Sequence, residues 1–352
     1  MEEMSSMERV TAVLNHKIPD RVPVIFWALT IGAREAGIKM FEYSTDGKKM
    51  AEGQLNYLRR YGVDAVIPGS GIAEVAEMFG TKTKYYDTMY DTPAIGETVV
   101  KKPDDWEKLE LSITPGISAS LEATLIIREE TNNEVPVMGT VVSPLTLATW
   151  IRGMAETIRD TRKNPDELHK GLNIITDIER DMVDAQISLG TEIFFMPITR
   201  ASRDLFTDKQ YKEFGIPYDL KVLESLKSNY VIGHVCGNYP MLDTIIERYP
   251  LSAVNWWDRG TKYSLKDGRD MKERYNSKVV LVGGLDQNKT LIMGTPKDVE
   301  NEARDAIEQV AIDGEFILSG GCELSAITPP ENILAAVETA KRYGKYPIGW
   351  IV

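Results

Sequence analysis

The sequence predicts an α/β protein built as one (β/α)8 barrel of the TIM type. Two observations carry this. Short apolar runs rich in β-branched and aromatic residues alternate with longer, charged, helix-like segments, the mark of βα units and a parallel sheet. Eight such runs occur in 352 residues, the number that closes a barrel. The main competitor, an open doubly wound sheet, calls for a glycine-rich phosphate loop after the first strand, and Ala28–Ala33 has none.

The candidate strands lie near Val22–Ala28, Asp64–Pro68, Val137–Val142, Glu192–Pro197, Tyr230–Val235, Ser252–Trp256, Val279–Gly283 and Glu315–Ser319. An N-terminal helix is expected over Ser6–Asn15, and an elaborated stretch at about 70–135, with a hairpin around Lys84–Tyr90 and a helix near Ser118–Thr131. Residues 1–352 are thus expected to form a single domain, with two ordinary domains as the competing division. Thr207-Asp208, Thr295-Pro296 and Thr328-Pro329-Pro330-Glu331 read as helix starts.

Composition narrows the function classes. The chain is 43% hydrophobic and 27% charged, ordinary for a soluble globular protein, and no apolar stretch is long enough to span a membrane. The start, MEEMSSMERV, lacks a basic region followed by an apolar run, so a cytoplasmic location is expected. A formal net charge of −12 disfavours nucleic acid and anionic membrane as partners. The only cysteines, Cys236 and Cys322, do not make a disulfide framework.

In a (β/α)8 barrel the active site sits at the C-terminal ends of the strands. That rule selects Trp27 and Thr30, Ser70, Ser143, Arg200, His234 and Cys236, Trp257 and Asp258, Asp286, and Cys322. His234 and Cys236, at i and i+2 of a strand, point to one face, and Cys322 arrives from the last strand across the mouth. Two sulfurs and an imidazole suit Zn²⁺, and three protein ligands leave a position open, as in a catalytic site. The blander reading is a packed histidine and two inert thiols. Of the other histidines, His16 reads as a surface or capping residue and His169 as solvated. No GxSxG elbow supports a serine hydrolase.

Five stretches make the chain resemble a known family: MERVTAVLNHKIPDRVPV, SPLTLATWIRGM, GHVCGN, GGLDQNKTLIMGTPKDV and GGCELSAITPPENI. It is similar to the uroporphyrinogen decarboxylase superfamily and, within it, to the zinc methyltransferases that work with corrinoid proteins. It departs from the decarboxylase pattern at four places. The arginine-rich segment after strand one is reduced to Arg34 in FWALTIGAREAG, and the aspartate after strand two is replaced in IPGSG, where Ser70 stands. The TLAxY tyrosine is Trp150, and the histidine before the TP pair is Cys322.

The resemblance implies Zn²⁺ on His234, Cys236 and Cys322, and a corrinoid (cobalamin) carried by a separate corrinoid-binding protein. The small-molecule partner is then a methylated donor or a thiol. Aromatics at the mouth, Phe26, Trp27, Trp150, Trp256 and Trp257, favour a flat methyl donor such as an aryl methyl ether, unless they are barrel packing. The alternative is transfer from the corrinoid to a thiol such as coenzyme M, whose sulfonate needs a cation from among Arg34, Arg200, Arg203 and Arg259. A decarboxylase-type lyase and a non-catalytic docking module stand further off. Asp258 and Asp286 are candidates to orient His234 or to act as a displaceable fourth ligand, against the alternative of loop-closing carboxylates; Glu74 and Glu77 are weaker candidates.

Overall fold

The structure is a computed structural model, and it describes residues 3–348. Six strands hydrogen-bond as parallel neighbours in chain order: Gly139–Thr140, Ile193–Pro197, Tyr230–Val235, Ala253–Trp256, Val280–Leu285 and Phe316–Gly320. Two extended segments complete the ring. Val24 bridges Leu318 in parallel, Val66 bridges Val137, and Asp64 N–H donates to the Val24 carbonyl at 2.8 Å. The fold is therefore the expected α/β barrel, closed between its first and last strands.

The first three candidate strands are less regular than expected, for identifiable reasons. Pro23, Pro68 and Pro136 remove donors from the ladder. The Asp64 carboxylate takes the Val24 N–H at 2.7 Å, and Arg9 and Arg21 in turn hold that carboxylate. On the third strand, the Gln186 side chain takes both the N–H and the C=O of Thr140, each at 3.0 Å, where a further ladder residue would bond.

Alternation along the strands sorts side chains between two cores. Ile25, Trp27, Ile193, Phe195, Ile232, Val280, Val282 and Ile317 fill the barrel interior. Val24, Phe26, Phe194, Val231, Val254, Trp256, Leu281 and Leu318 face the surrounding helices. The N-terminal helix is Ser6–Leu14, closed by a Ser5/Glu8 capping box.

Between the second and third strands lie the helices Ile72–Glu77 and Pro115–Glu130 and a two-stranded antiparallel ribbon. The ribbon pairs Lys82–Lys84 with Ala94–Glu97, so its loop is wider than the hairpin expected at Lys84–Tyr90. Capping boxes start Asp208–Phe214 at Thr207 and Pro296–Val310 at Thr295. The last helix, Pro330–Tyr343, departs from expectation: Pro329 holds the cap position, and the Thr328 hydroxyl is buried without a partner. Among the described residues no helix is long and apolar enough to cross a membrane.

Candidate metal centre

His234 lies in the strand Tyr230–Val235, its imidazole inside the barrel near the stacked pair Trp27 and Phe195. Cys236 follows at the strand end, and Gly237 turns the chain sharply with φ 104°, a conformation that favours glycine. Cys322 stands two residues past the strand Phe316–Gly320. The Nε2 of His234 and the two sulfurs all lie within 4.8 Å of one another, and Cys322 Sγ is 3.6 Å from Nε2. Zinc bonds of about 2.3 Å to sulfur and 2.0–2.1 Å to nitrogen place tetrahedral neighbours roughly 3.5–3.8 Å apart, so this donor set fits zinc.

The hydrogen bonds around His234 settle its tautomer. Asn255, paired with His234 in the neighbouring strand, donates its amide nitrogen to the carbonyls of Val282 at 2.9 Å and Gly320 at 3.0 Å. Its oxygen accepts the Trp27 indole N–H at 2.8 Å and also faces His234 Nδ1 at 2.7 Å. Because indole only donates and carbonyls only accept, the amide has a single consistent orientation. Nδ1 therefore carries the proton and Nε2 presents its lone pair to the metal position. The sulfurs are poised as well. A hydrogen bond from the Cys322 thiol, with help from His234 and the Gly237 N–H, holds Cys236 far below the usual thiol range, at about 4. The same contact pushes Cys322 upward.

His234, Cys236 and Cys322 open into a cavity of about 260 Å³ walled by Trp27, Leu29, Ile72, Trp150, Phe195, Thr199, Arg200 and Glu323, among others. Arg200 donates Nε–H to Thr149 Oγ1 at 2.7 Å. Burial lowers its guanidinium to about 10, against the attraction of Cys236. Among the described residues it has no carboxylate partner. Glu323 accepts the Thr30 hydroxyl at 3.1 Å, and burial pushes its carboxyl up to about 7.

Other candidates lie elsewhere. Trp256 points outward: its indole packs against Gly268 and donates to the Tyr263 carbonyl at 2.7 Å, and it does not line the cavity. Trp257 lies over Gly260 and Gly321 and donates to Asp286 at 3.3 Å, also outside the cavity. Asp286 closes its own loop by accepting the N–H groups of Asn288 and Lys289. Asp258 accepts the Gly284 N–H at 3.0 Å beside Arg259, and burial raises it to about 6. Neither aspartate bonds to His234, so the orienting role expected of them falls to Asn255.

Ser70 is buried beside a neighbouring small cavity, where both its N–H and its hydroxyl donate to Glu74 at 2.6 Å. Glu77 accepts the Thr83 N–H in the ribbon. Of the four arginines considered, Arg34 is occupied by Glu35 and two carbonyls, Arg203 by Asp208 and Asp243, and Arg259 by Asp258 and Asp305. His16 pairs with Glu315, and His169 stacks on Phe214 and bonds Tyr218 rather than standing in solvent.

The family model for uroporphyrinogen decarboxylase (URO-D) matches residues 5–343. The chain belongs to the uroporphyrinogen decarboxylase family. Within that family it is 27% identical over 350 residues to the methylcobamide:CoM methyltransferase MtbA of Methanosarcina acetivorans, covering 97% of this chain and 99% of the relative. The methylated-thiol–coenzyme M methyltransferase of Methanosarcina mazei is 26% identical over 300 residues, 84% of this chain and 77% of the relative. A solved methyltransferase from Methanosarcina mazei superposes with a TM-score of 0.85 at 25% identity, covering 97% of this chain and 99% of that one.

Proposed function

We propose that the protein moves a methyl group between a corrinoid held on a separate protein and a small thiol, with zinc on His234, Cys236 and Cys322. The observation that carries the reading is the convergence of these three ligands at one wall of a cavity that also presents the unpaired Arg200. Zinc bound there would supply Lewis acidity that keeps the substrate thiol as thiolate at neutral pH. The chain's own residues do the rest. Asn255 holds the His234 proton on Nδ1. Arg200 offers a cation to an acidic group at the far end of the substrate. Trp27, Phe195 and Trp150 wall the cavity and exclude water.

This places the thiol direction ahead of the aryl-ether direction. The aromatic mouth that favoured a flat donor shrinks, because Trp256 and Trp257 lie outside the cavity and Trp27 packs on Phe195 inside the barrel at 4.4 Å. The relatives named for coenzyme M and methylated thiols support the same direction. Porphyrinogen decarboxylation finds little support, since a cavity of about 260 Å³ with one arginine is small for a tetrapyrrole bearing many carboxylates. The test is methyl transfer by the zinc-loaded protein from methylcobalamin to 2-mercaptoethanesulfonate and other small thiols, followed by the spectrum of the corrinoid. Demethylation of methoxylated arenes by cob(I)alamin, with no thiol accepting methyl, would overturn the reading.

A further inference from the structure

Two half-buried ionisable side chains at the cavity, Arg200 and Glu323, have no ion-pair partner among the described residues. Arg200 bonds only Thr149 through Nε, which leaves both terminal nitrogens for a ligand. Glu323 bonds only the Thr30 hydroxyl among the described residues, and it makes no ion pair there. Both side chains line the same cavity as the metal ligands, and they do not pair with each other. Two buried arginines elsewhere do have carboxylate partners: Arg152 has Asp160, and Arg9 has Asp20 and Asp64.

We infer that the thiol this cavity accepts is zwitterionic, with an acidic group for Arg200 and an ammonium for Glu323, as in an α-amino-acid thiol. The inference rests on the thiol reading above and narrows it. A thiol bearing only an anion leaves the Glu323 carboxyl facing no cation, and one bearing only an ammonium leaves Arg200 so. The cavity of about 260 Å³ is large enough to admit a molecule of this kind, such as homocysteine. In the transfer, the substrate sulfur forms the S–CH3 bond. The cobalt–carbon bond breaks with its electron pair left on cobalt, and the thiol proton passes to solvent.

The test separates this inference from the thiol reading. Binding of thioethers, which have no thiol proton to lose, is measured by calorimetry on the zinc-loaded protein: methionine, 2-(methylthio)ethanesulfonate and 2-(methylthio)ethylamine. Methionine is expected to bind at least about ten-fold more tightly than either singly charged analogue. In Glu323→Gln, checked for unchanged zinc content, methionine is expected to lose about ten-fold or more while the sulfonate changes by less than about two-fold. Equal or tighter wild-type binding of the sulfonate overturns the inference without any variant, and so does unchanged methionine binding in the Glu323→Gln variant. In turnover with methylcobalamin, 2-mercaptoethanesulfonate outpacing homocysteine sinks the zwitterion and keeps the thiol reading. No methylation of any thiol sinks both.

Discussion

Replacing Asn255 by alanine removes the side chain that fixes His234, and its effect can be worked from the four bonds that Asn255 makes. The Trp27 indole N–H, the His234 Nδ1–H and the carbonyls of Val282 and Gly320 all lose their partner at once. Each buried group left unsatisfied costs about 1–3 kcal/mol, and water entering the vacated space restores part of that, so a net loss of ~3–5 kcal/mol is expected. At roughly 1.4 °C per kcal/mol for a chain of this size, melting should fall by about 4–7 °C. The imidazole also loses the bond that sets its tautomer, which typically weakens metal binding by about 10–100-fold.

The assay pairs a thermal melt with zinc competition against a chromophoric chelator. Asn255→Asp sharpens it. An aspartate keeps an acceptor for Trp27 and His234, but turns its second oxygen toward the Val282 and Gly320 carbonyls, which only accept. It should therefore also destabilise the barrel. An alanine variant that melts like wild type and holds zinc within about two-fold would refute the argument that Asn255 sets the tautomer of His234.

Three further outcomes follow from the same geometry. Cys322→Ser should abolish stoichiometric zinc and turnover while leaving circular dichroism and melting close to wild type, because a catalytic site is grafted on a barrel that folds without it; global unfolding on chelation would indicate a structural metal instead. Arg200→Gln should raise KM for an acidic thiol so that kcat/KM falls by about 10–100-fold, the worth of one charge-assisted contact, with kcat changed far less. Glu179 is fully buried, with Oε2 accepting the Val142 N–H at 2.6 Å and Oε1 unpartnered, and burial pushes its carboxyl from 4.5 to about 8. Between those values the unfolded chain has released a proton that the folded chain retains, so this group's contribution to stability is full below the lower value and is lost as pH rises toward the upper one. The melting advantage of Glu179→Gln over wild type should thus widen from about pH 5 to about pH 8; an advantage that narrows on that path contradicts the assignment.

The barrel was legible because each βα unit declares itself locally: β-branched runs, caps such as Thr295 with Asp298, and prolines at helix starts. Its irregular first third was not. Whether Val22–Ala28 pairs as a regular strand depends on Asp64 taking the Val24 N–H, a contact made 40 residues along the chain. The ribbon's loop between Lys84 and Ala94 is likewise tied to a distant segment, the Met40 N–H donating to the Thr88 carbonyl at 2.8 Å.

At the site, the convergence of His234, Cys236 and Cys322 was legible and its surroundings only partly so. His234 and Cys236 share one strand end, where local alternation suffices; Cys322 needed the family resemblance and the rule that barrel sites gather at strand ends. Asp258 and Asp286 stand out in the sequence because each directly follows a strand, whereas the fold uses an uncharged amide, because a residue wedged among two donors and two acceptors must both give and take hydrogen bonds, which a carboxylate cannot do. Parity would have found it. In the run Ala253-Val254-Asn255-Trp256, a polar residue at the position that pairs with His234 faces inward, and that places Trp256 among the helices. The same parity argument bears on the proposed substrate. With Trp256 and Trp257 outside, the wall keeps Trp27, Trp150 and Phe195 and adds Arg200 and Glu323, which have no ion-pair partner among the described residues. A flat apolar ether satisfies neither of them; a small thiol with charged ends satisfies both.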